Sequence, residues 1–339
     1  MARVCVFLVL GLVACATCST ITEQSDHVTL STPQLEASFV RKGYVSGVKA
    51  GSFLDKATGA RDLGFGLDII DWIMEPGADD AYKDKLPGDL AYRYNNLVHG
   101  KRPKRSIEGP QICTQAKELD PQVVSADHFT AVHMQYNYTI AAPGKRTGSL
   151  WQQTLVFPKG KRYFISSDRI TSVNASDAMF LRLDMPGHIK KEKIDQASEI
   201  YLSYIDGGKR IPMSEFATPF APDEKFNFRR DRDGVPERFI RAYRVKNPRT
   251  GEPGPWLAGM TLDPGIVHEG WCNRRPGFIC FIEEFGGRPI RPGQKLSAAF
   301  IVGWFDSIEE MHRVYDQHKG ATDLEVAGES WQLHLPTRQ

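Results

Sequence analysis

Long apolar runs are missing from this sequence after Cys18, and no later segment reaches the roughly 20 apolar residues that a membrane-spanning helix needs. Beyond that point there is also no Cys-x-x-Cys pair and no His-Glu-x-x-His motif, so no zinc site is predicted. The formal net charge is only +2. Because such a balance gives no bulk attraction to polyanions, no nucleic-acid partner is predicted.

Cysteine is scarce, and three of the six residues precede position 20. The remaining three, Cys113, Cys272 and Cys280, cannot all pair with one another, which excludes a disulfide scaffold. Cys272 and Cys280 are close enough in sequence either to bridge across a hairpin or to pack as buried free thiols. The sequence leaves both arrangements open.

The one strongly apolar stretch is Val4–Cys18, which follows Arg3. It is too short to span a bilayer as a stable helix, and it predicts a secretory signal over residues 1–19. The protein is therefore expected to be extracytoplasmic: periplasmic, on the cell surface or secreted. Leu12–Cys15 resembles the lipobox of bacterial lipoproteins, which would make Cys15 a lipidated membrane tether. Ordinary cleavage near Ser19 is the alternative.

Short strands separated by Gly, Pro and Asp clusters dominate the rest of the chain. The run Phe129–Ile140 alternates, with Val132 and Met134 on its apolar face. Helical patterning is rare; the clearest case is Ile308–Tyr315, which follows Ser307 of a capping box. About a dozen strands and one short late helix predict an all-β protein. The expected architecture is one large antiparallel β-sandwich over residues 25–335.

Several segments resemble the galactose-mutarotase-like β-sandwich superfamily. Leu35–Phe39, Gly43–Val48 and Asp55–Gly59 are similar to its opening strands, and Trp151–Phe157 followed by Arg162–Phe164 is similar to its central hairpin. The superfamily includes aldose epimerases and the sandwich domains of polysaccharide lyases. The resemblance implies the same fold and a carbohydrate ligand.

A basic and aromatic segment, Tyr92–Arg105, is the first candidate site. It contains Tyr94 and His99 as candidate catalytic residues and Arg102 and Arg105 as candidate substrate-binding residues, with Gln111 just beyond. Aromatic faces and Arg forks suit a sugar ring that bears a carboxylate or sulfate. The alternative is a solvated basic loop, or a processing site at Lys104-Arg105.

The second candidate is His268–Arg275, which the neighbouring glycines and proline place at a turn between strands. His268 and Glu269 are candidate catalytic residues, because a carboxylate beside a His can hold it in the tautomer that proton transfer needs. Trp271 and Arg274 are candidate substrate-binding residues. The alternative is a packed Trp whose Arg neighbours form surface ion pairs.

Two further histidines are candidate substrate-binding residues. His188 follows the strand end at Asp184 in a Pro-Gly turn, and His133 lies in the alternating run described above. Each is as readily a turn or sheet histidine. No cofactor is predicted; the fragment Asp231–Gly234 is far shorter than a calcium loop and supports calcium only weakly.

The leading functional hypothesis is an enzyme that acts on an anionic polysaccharide or oligosaccharide. As a lyase it would need a His or Tyr base and an Arg that neutralises the substrate carboxylate. As an epimerase it would need a His acid and a Glu base on opposite sides of a ring. The competing class is a non-catalytic carbohydrate-binding or structural surface protein. For the epimerase, the candidates are His133 or His188 with Glu269. Because the two candidate segments offer complementary groups, we expect His99–Arg105 and His268–Arg275 to approach one another across one concave face.

Overall fold

Alternating apolar side chains give this chain an almost entirely β structure. The computed structural model describes residues 19–43, 46–88, 103–112 and 118–336. In chain order, the strands within these residues are β1 (Thr20–Glu23), β2 (His27–Ser31), β3 (Leu35–Val40), β4 (Val48–Lys49), β5 (Leu54–Asp55), β6 (Gly66–Leu67), β7 (Ile69–Pro76), β8 (Lys104–Gly109), β9 (Gln122–Ser125), β10 (Phe129–Asn137), β11 (Ile140–Ala141), β12 (Leu150–Pro158), β13 (Tyr163–Thr171), β14 (Ser176–Asp184), β15 (Ile189–Lys190), β16 (Ala197–Leu202), β17 (Lys209–Pro212), β18 (Asn227–Arg229), β19 (Phe239–Lys246), β20 (Pro253–Thr261), β21 (Val267–Arg275), β22 (Phe278–Ile290), β23 (Lys295–Phe305), β24 (Asp323–Ala327) and β25 (Ser330–His334).

Two large antiparallel sheets form the sandwich within the described residues. The nine-stranded sheet has the order β17-β16-β19-β20-β23-β13-β12-β10-β9. The eight-stranded sheet has the order β11-β8-β7-β14-β22-β21-β18, with β15 paired to β22. Smaller sheets are β1-β2-β3-β5, β4-β6 and the hairpin β24-β25. The predicted fold class, an all-β antiparallel sandwich, is confirmed.

Helices are few in the described part of the chain, and none is long and apolar enough to span a membrane. The longest is Ile308–His318, which begins where the capping box predicts: the Ser307 hydroxyl accepts from the Glu310 amide at 3.1 Å. A second helix is only four residues long, Arg230–Asp233. Short 3-10 segments cover Asp79–Ala81, Lys83–Lys85, Lys191–Gln196 and Met213–Phe216.

The apolar side chains pack in two layers. Between the two large sheets, Val132 and Met134 of β10 are buried as their alternation predicts. On the opposite face of the nine-stranded sheet, Met311 and Tyr315 of the late helix cover Ile301 and its neighbours. Burial of each such side chain stabilises the fold by about 1.5–3 kcal/mol. One face of the nine-stranded sheet therefore lies inside the sandwich, and part of the other lies under the C-terminal elements.

Charged side chains also lie between the two sheets. The Arg241 guanidinium donates to Glu283 at 2.8 Å, and the Thr261 hydroxyl donates to the same carboxylate at 2.8 Å. Elsewhere the carboxyl groups of Asp68 and Asp168 interact, and both are fully buried. The fold tolerates these buried charged groups only when their partners are in place, because an unpaired buried charge is strongly destabilising.

The structure corrects one local prediction and decides one alternative. His268–Arg275 is not a turn: it lies within β21, and the turn follows at Pro276-Gly277. Of the two arrangements left open for Cys272 and Cys280, the structure shows buried free thiols. Their strands pair Cys272 with Phe281, so the two cysteines are offset by one residue and point to opposite faces of the sheet.

Candidate active site

A cluster of buried charged and aromatic residues lies on the face of the eight-stranded sheet that points away from the nine-stranded sheet. We call it the outer-face cluster, and its members are Asp71, Trp72, Lys104, Arg182, Asp184, Glu269, Trp271 and Glu284. Five strands contribute: β7, β8, β14, β21 and β22. The register places Arg182 opposite Glu284, and Glu284 opposite Glu269. These three side chains therefore form one row across neighbouring strands.

Arg182 is the centre of the cluster. Its Nε atom donates to Glu284 Oε1 at 2.9 Å, and an Nη atom donates to the same oxygen. The guanidinium lies 5.9 Å from the Trp72 ring centroid and 5.3 Å from that of Trp271. Contact with two aromatic faces and a carboxylate holds this cation in one orientation.

Lys104 connects two of the carboxylates. Its Nζ atom binds Glu284 Oε2 and lies 3.2 Å from Glu269 Oε2. The same ammonium lies 4.7 Å from the Phe180 ring centroid. All of these side chains except Phe180 carry charge, yet Lys104 is only 4% exposed. The low exposure strengthens each electrostatic interaction, because little water screens it.

Three carboxyl groups of the cluster hold their protons more tightly than usual. Burial raises the pKa of Asp71 well above its ordinary range, and the nearby Asp184 raises it further. Burial raises the pKa of Asp184 to about 7, although Arg182 opposes the shift. Burial also raises the pKa of Glu269, against the opposing effect of Lys104. Carboxyl groups with raised pKa values are typical of general acids and bases.

Repulsion between carboxylates adds to the effect of burial on the pKa of Asp71 and of Glu269. Four carboxyl groups, those of Asp71, Asp184, Glu269 and Glu284, face two cations, Lys104 and Arg182. Like charges in a site with little water cannot all ionise. One Glu269 oxygen, Oε1, is buried and has no hydrogen-bond partner among the described residues. Asp184 Oδ1 is likewise buried without a hydrogen-bond partner in the described ranges, so both oxygens can accept from a proton donor.

His268 lies beside Glu269 and is the most exposed of the candidate acid–base groups, at 16% of its side chain. Its Nε2 atom is 3.9 Å from Glu269 Oε1, and its ring packs 4.6 Å from that of Phe180. Gly287 allows this position: it has φ of +72°, and a Cβ there would lie 2.9 Å from His268 Nδ1. The glycine leaves room for the imidazole ring.

His188 orients Asp184 rather than pointing to solvent. Its Nδ1 atom accepts from the Phe281 amide at 3.2 Å, which assigns the proton to Nε2. Nε2 lies 3.2 Å from Asp184 Oδ2. Burial lowers the pKa of His188 to about 3, so the ring is neutral. It also stacks on Phe278 at 4.9 Å.

The other predicted residues fall in different places. Gln111 donates to Asp71 and so joins the cluster. Arg105 neighbours Lys104 in β8 and bonds Glu75 at 2.9 Å; adjacent strand residues point to opposite faces. Arg274 donates to the backbone carbonyls of Arg275 and Phe278.

His133 lies on the nine-stranded sheet, bonded to Thr154 at 3.1 Å, and not in the cluster. Tyr94, His99 and Arg102 lie outside the described residues. Lys104, at the end of the first candidate segment, does contact Glu269 of the second.

Sequence reasoning missed the residues at the centre of the cluster: Asp71, Trp72, Arg182 and Glu284. A signal for them exists. Arg182 and Glu284 each interrupt an otherwise apolar strand, and a charge at such a position must find a partner when it is buried.

No group of three His, Cys, Asp or Glu side chains in the described ranges is arranged to hold a metal ion. In the Asp231–Gly234 fragment, Asp233 accepts from the Arg229 amide at 2.8 Å and from Arg232 at 2.6 Å. These donors occupy oxygens that a calcium loop would direct at the ion.

No family model matches the chain, and no curated protein matches it either. Solved structures are similar over most of it. A galactose mutarotase-like protein from Clostridium acetobutylicum has a TM-score of 0.43 and 10% identity, covering 86% of this chain and 99% of its own. Alpha-N-acetylgalactosaminidase NagBb from Bifidobacterium bifidum has a TM-score of 0.45 and 10% identity, covering 88% of this chain.

A heparan sulfate lyase HepC mutant from Pedobacter heparinus has a TM-score of 0.39 and 10% identity, covering 93% of this chain. The chain spans only 37% of NagBb and 42% of HepC. Similarity at this level says nothing about the activity of this chain. The fold is a large antiparallel β-sandwich, as the sequence predicts. One face of its eight-stranded sheet carries a buried cluster of charged and aromatic side chains.

Proposed function

We propose that this chain is an extracytoplasmic carbohydrate-active enzyme that transfers protons at a sugar ring bound on the outer-face cluster. One observation carries the proposal: His268, Arg182 and two carboxyl groups with raised pKa values converge beside two tryptophan faces. A module that only binds sugar would need the flat tryptophan surfaces but no perturbed carboxyl groups.

The roles follow from the contacts. Protonated Glu269 is the general acid, because its Oε1 atom is unbonded and faces His268. Asp184, with a pKa of about 7, holds or accepts a proton near neutral pH, and His188 keeps its carboxyl oriented. Arg182 supplies positive charge for an oxygen that becomes negative during the reaction.

Two reactions use such groups. In a lyase reaction on a uronate, His268 takes the proton alpha to the carboxylate and a C=C bond forms. The C–O bond to the leaving group breaks, and Glu269 protonates the leaving oxygen. In an epimerase reaction, one group protonates the ring oxygen while another removes the proton of the anomeric hydroxyl, which opens the ring for reclosure.

One observation favours the second reaction at this cluster. Both cations are already paired with carboxylates, so the carboxylate of an anionic substrate would have to displace Glu284 from Arg182. A neutral sugar ring needs no such exchange. Binding of an anionic polysaccharide or oligosaccharide would therefore need cations from elsewhere in the chain.

The test is incubation of the purified protein with a panel of polysaccharides, uronate oligosaccharides and free aldoses. Absorbance reports new unsaturated uronates, a reducing-end assay reports chain cleavage, and NMR reports anomer exchange. We expect Glu269→Gln to lower the rate by about 100-fold or more, the loss usual for a general acid. Glu224→Gln, an exposed carboxylate elsewhere, should keep the wild-type rate. Equal rates for the two variants, or no turnover of any substrate, would contradict the proposal.

The cellular location is proposed on the N-terminal sequence alone. We expect the mature chain to begin at Cys15 or near Ser19. Intact mass and N-terminal sequencing distinguish the two, because a diacylglyceryl adduct appears only on Cys15. A cytosolic protein that retains Met1 would contradict both.

A further inference from the structure

A second polar depression lies on the other sheet, away from the outer-face cluster. Its floor is formed by β10, β12, β13 and β23. One wall is the end of β22 with the turn that leads to β23, and the other is the hairpin β24-β25. We call it the hairpin groove. Its volume is about 1080 Å³, slightly above the ~300–1,000 Å³ typical of ligand pockets.

An ion pair holds the hairpin at the edge of this groove. Arg169 of β13 donates to Asp323 of β24 at 3.0 Å through its Nε atom. On the hairpin itself, His334 lies 3.0 Å from Glu325. Asp323 is therefore paired with a cation, whereas His334 balances the charge of Glu325 only when its ring is protonated.

Positive charge in the groove is less fully matched. Within the described residues, neither Arg288 nor Lys295 forms an ion pair, and both are exposed along the wall and floor. Arg230 donates to the carbonyls of Gly265 and Gly286, at 2.5 and 3.1 Å, and not to a carboxylate. Asp263 is the remaining acidic group, and it lies near Arg288 and Arg230. These three cations thus outnumber the two carboxylates that no Lys or Arg of the described ranges pairs with, Asp263 and Glu325.

Neutral hydrogen-bonding groups line the floor. His133 and Thr154 are bonded to one another at 3.1 Å, and Ser297 lies on the neighbouring strand β23. Burial lowers the pKa of His133, which keeps its ring neutral at physiological pH. Hydroxyl and imidazole groups both donate and accept, as the hydroxyls of a sugar require.

We propose that the hairpin groove binds an acidic oligosaccharide segment and is a second, non-catalytic site of the protein. Arg288 and Lys295 bind the carboxylate or sulfate groups, and the floor binds the hydroxyls. The inference rests on the proposed carbohydrate activity. It supplies the cations that the outer-face cluster lacks: Lys295 lies on β23 of the nine-stranded sheet, and Arg288 lies near the end of β22, the strand that also carries Glu284.

The test is calorimetric titration of the full chain with hexasaccharides prepared from polygalacturonate and from heparin. The groove variant is Arg288→Gln/Lys295→Gln. The matched control is Lys42→Gln/Arg249→Gln, which removes the same charge at exposed positions outside the groove. We expect the groove variant to weaken binding about tenfold, since two exposed charge contacts together contribute about 1.4 kcal/mol. The control should bind as the wild type does.

The variant Glu269→Gln of the outer-face cluster separates this inference from the proposed function. It should lose turnover and still bind the hexasaccharides as the wild type does. If the protein turns over no sugar but loses hexasaccharide binding only in the groove variant, the proposed function fails and the groove stands. If the groove variant and its control bind equally, or if the wild type binds neither hexasaccharide, the groove proposal is overturned. Turnover in the enzyme assay decides the proposed function independently of either result.

Discussion

The buried pair Asp68 and Asp168 should make the stability of the protein depend on pH, and Asp68→Asn should remove much of that dependence. Asp168 accepts from Trp151 Nε1 at 2.9 Å and from Gln153 Nε2 at 3.3 Å, while Asp68 interacts with Asp168 and Ser166. Asparagine suits the position because Asp68 has a φ of 56°, a conformation that Asn tolerates better than most residues. Its neutral amide can hydrogen-bond to Asp168 without placing a second negative charge beside it.

The magnitude follows from the proton affinity of Asp68. Burial raises its pKa from 3.8 to about 6. Between these values the unfolded chain has released the proton and the folded chain still holds it, so the free energy of unfolding falls as pH rises. A shift of about 2 units at 1.36 kcal/mol each gives about 3 kcal/mol. Burial and the neighbouring Asp68 also raise the pKa of Asp168, which acts in the same direction.

Urea unfolding at several pH values between 4 and 7 measures the effect. Relative to wild type, Asp68→Asn should gain about 2.4 kcal/mol on going from pH 4 to pH 7, because the unfolded side chain is already partly ionised at pH 4. The control is Asp206→Asn, since Asp206 also has a positive φ, of 49°, but its side chain is 76% exposed. The control should follow the wild-type curve within about 0.5 kcal/mol. Parallel curves for wild type and Asp68→Asn would refute the idea that the pair retains a proton.

Three further predictions concern other features. Arg241→Met should destabilise the fold by about 3–5 kcal/mol by leaving Glu283 unpaired, and adding Glu283→Leu should recover much of that loss in a urea double-mutant cycle. Ser307→Ala should cost about 1 kcal/mol of unfolding free energy, because it removes the cap of the late helix; no change in the urea midpoint would contradict the cap. Gly287→Ala should cost about 1–3 kcal/mol and displace His268, so its NMR titration should shift; an unchanged imidazole signal would show that the glycine is not required.

The sandwich could be predicted because apolar and polar side chains alternate from one residue to the next along its strands. In β10, Val132 and Met134 point into the core as the pattern requires, and the turn residues mark where strands end. The segment His268–Arg275 was harder. Its charged residues and neighbouring glycine suggest a turn, yet Glu269 is buried by contacts with Lys104 that no local pattern contains.

The outer-face cluster was only partly predictable for the same reason. His268, Glu269 and Trp271 are adjacent in sequence and stood out as a dense group. Arg182 and Glu284 are 102 residues apart, and they meet only because β14 and β22 pair in one register. Pairing partners over such separations depend on the tertiary fold, which single-sequence patterns do not report.

The doublet Glu283-Glu284 in β22 has a consequence for how the strands align. Glu283 faces Arg241 inside the sandwich, and Glu284 faces Arg182 on the other side of the same sheet. A slip of one residue in either direction would exchange faces. One of the two glutamates would then face the arginine on the opposite side of the sheet. The apolar residue next to the doublet would take the vacated position, and the arginine there would be buried without a counterion. The two neighbouring acids thus fix the register of β22 from both faces of the sheet. A shifted register is disfavoured by unpaired charge as well as by poor packing.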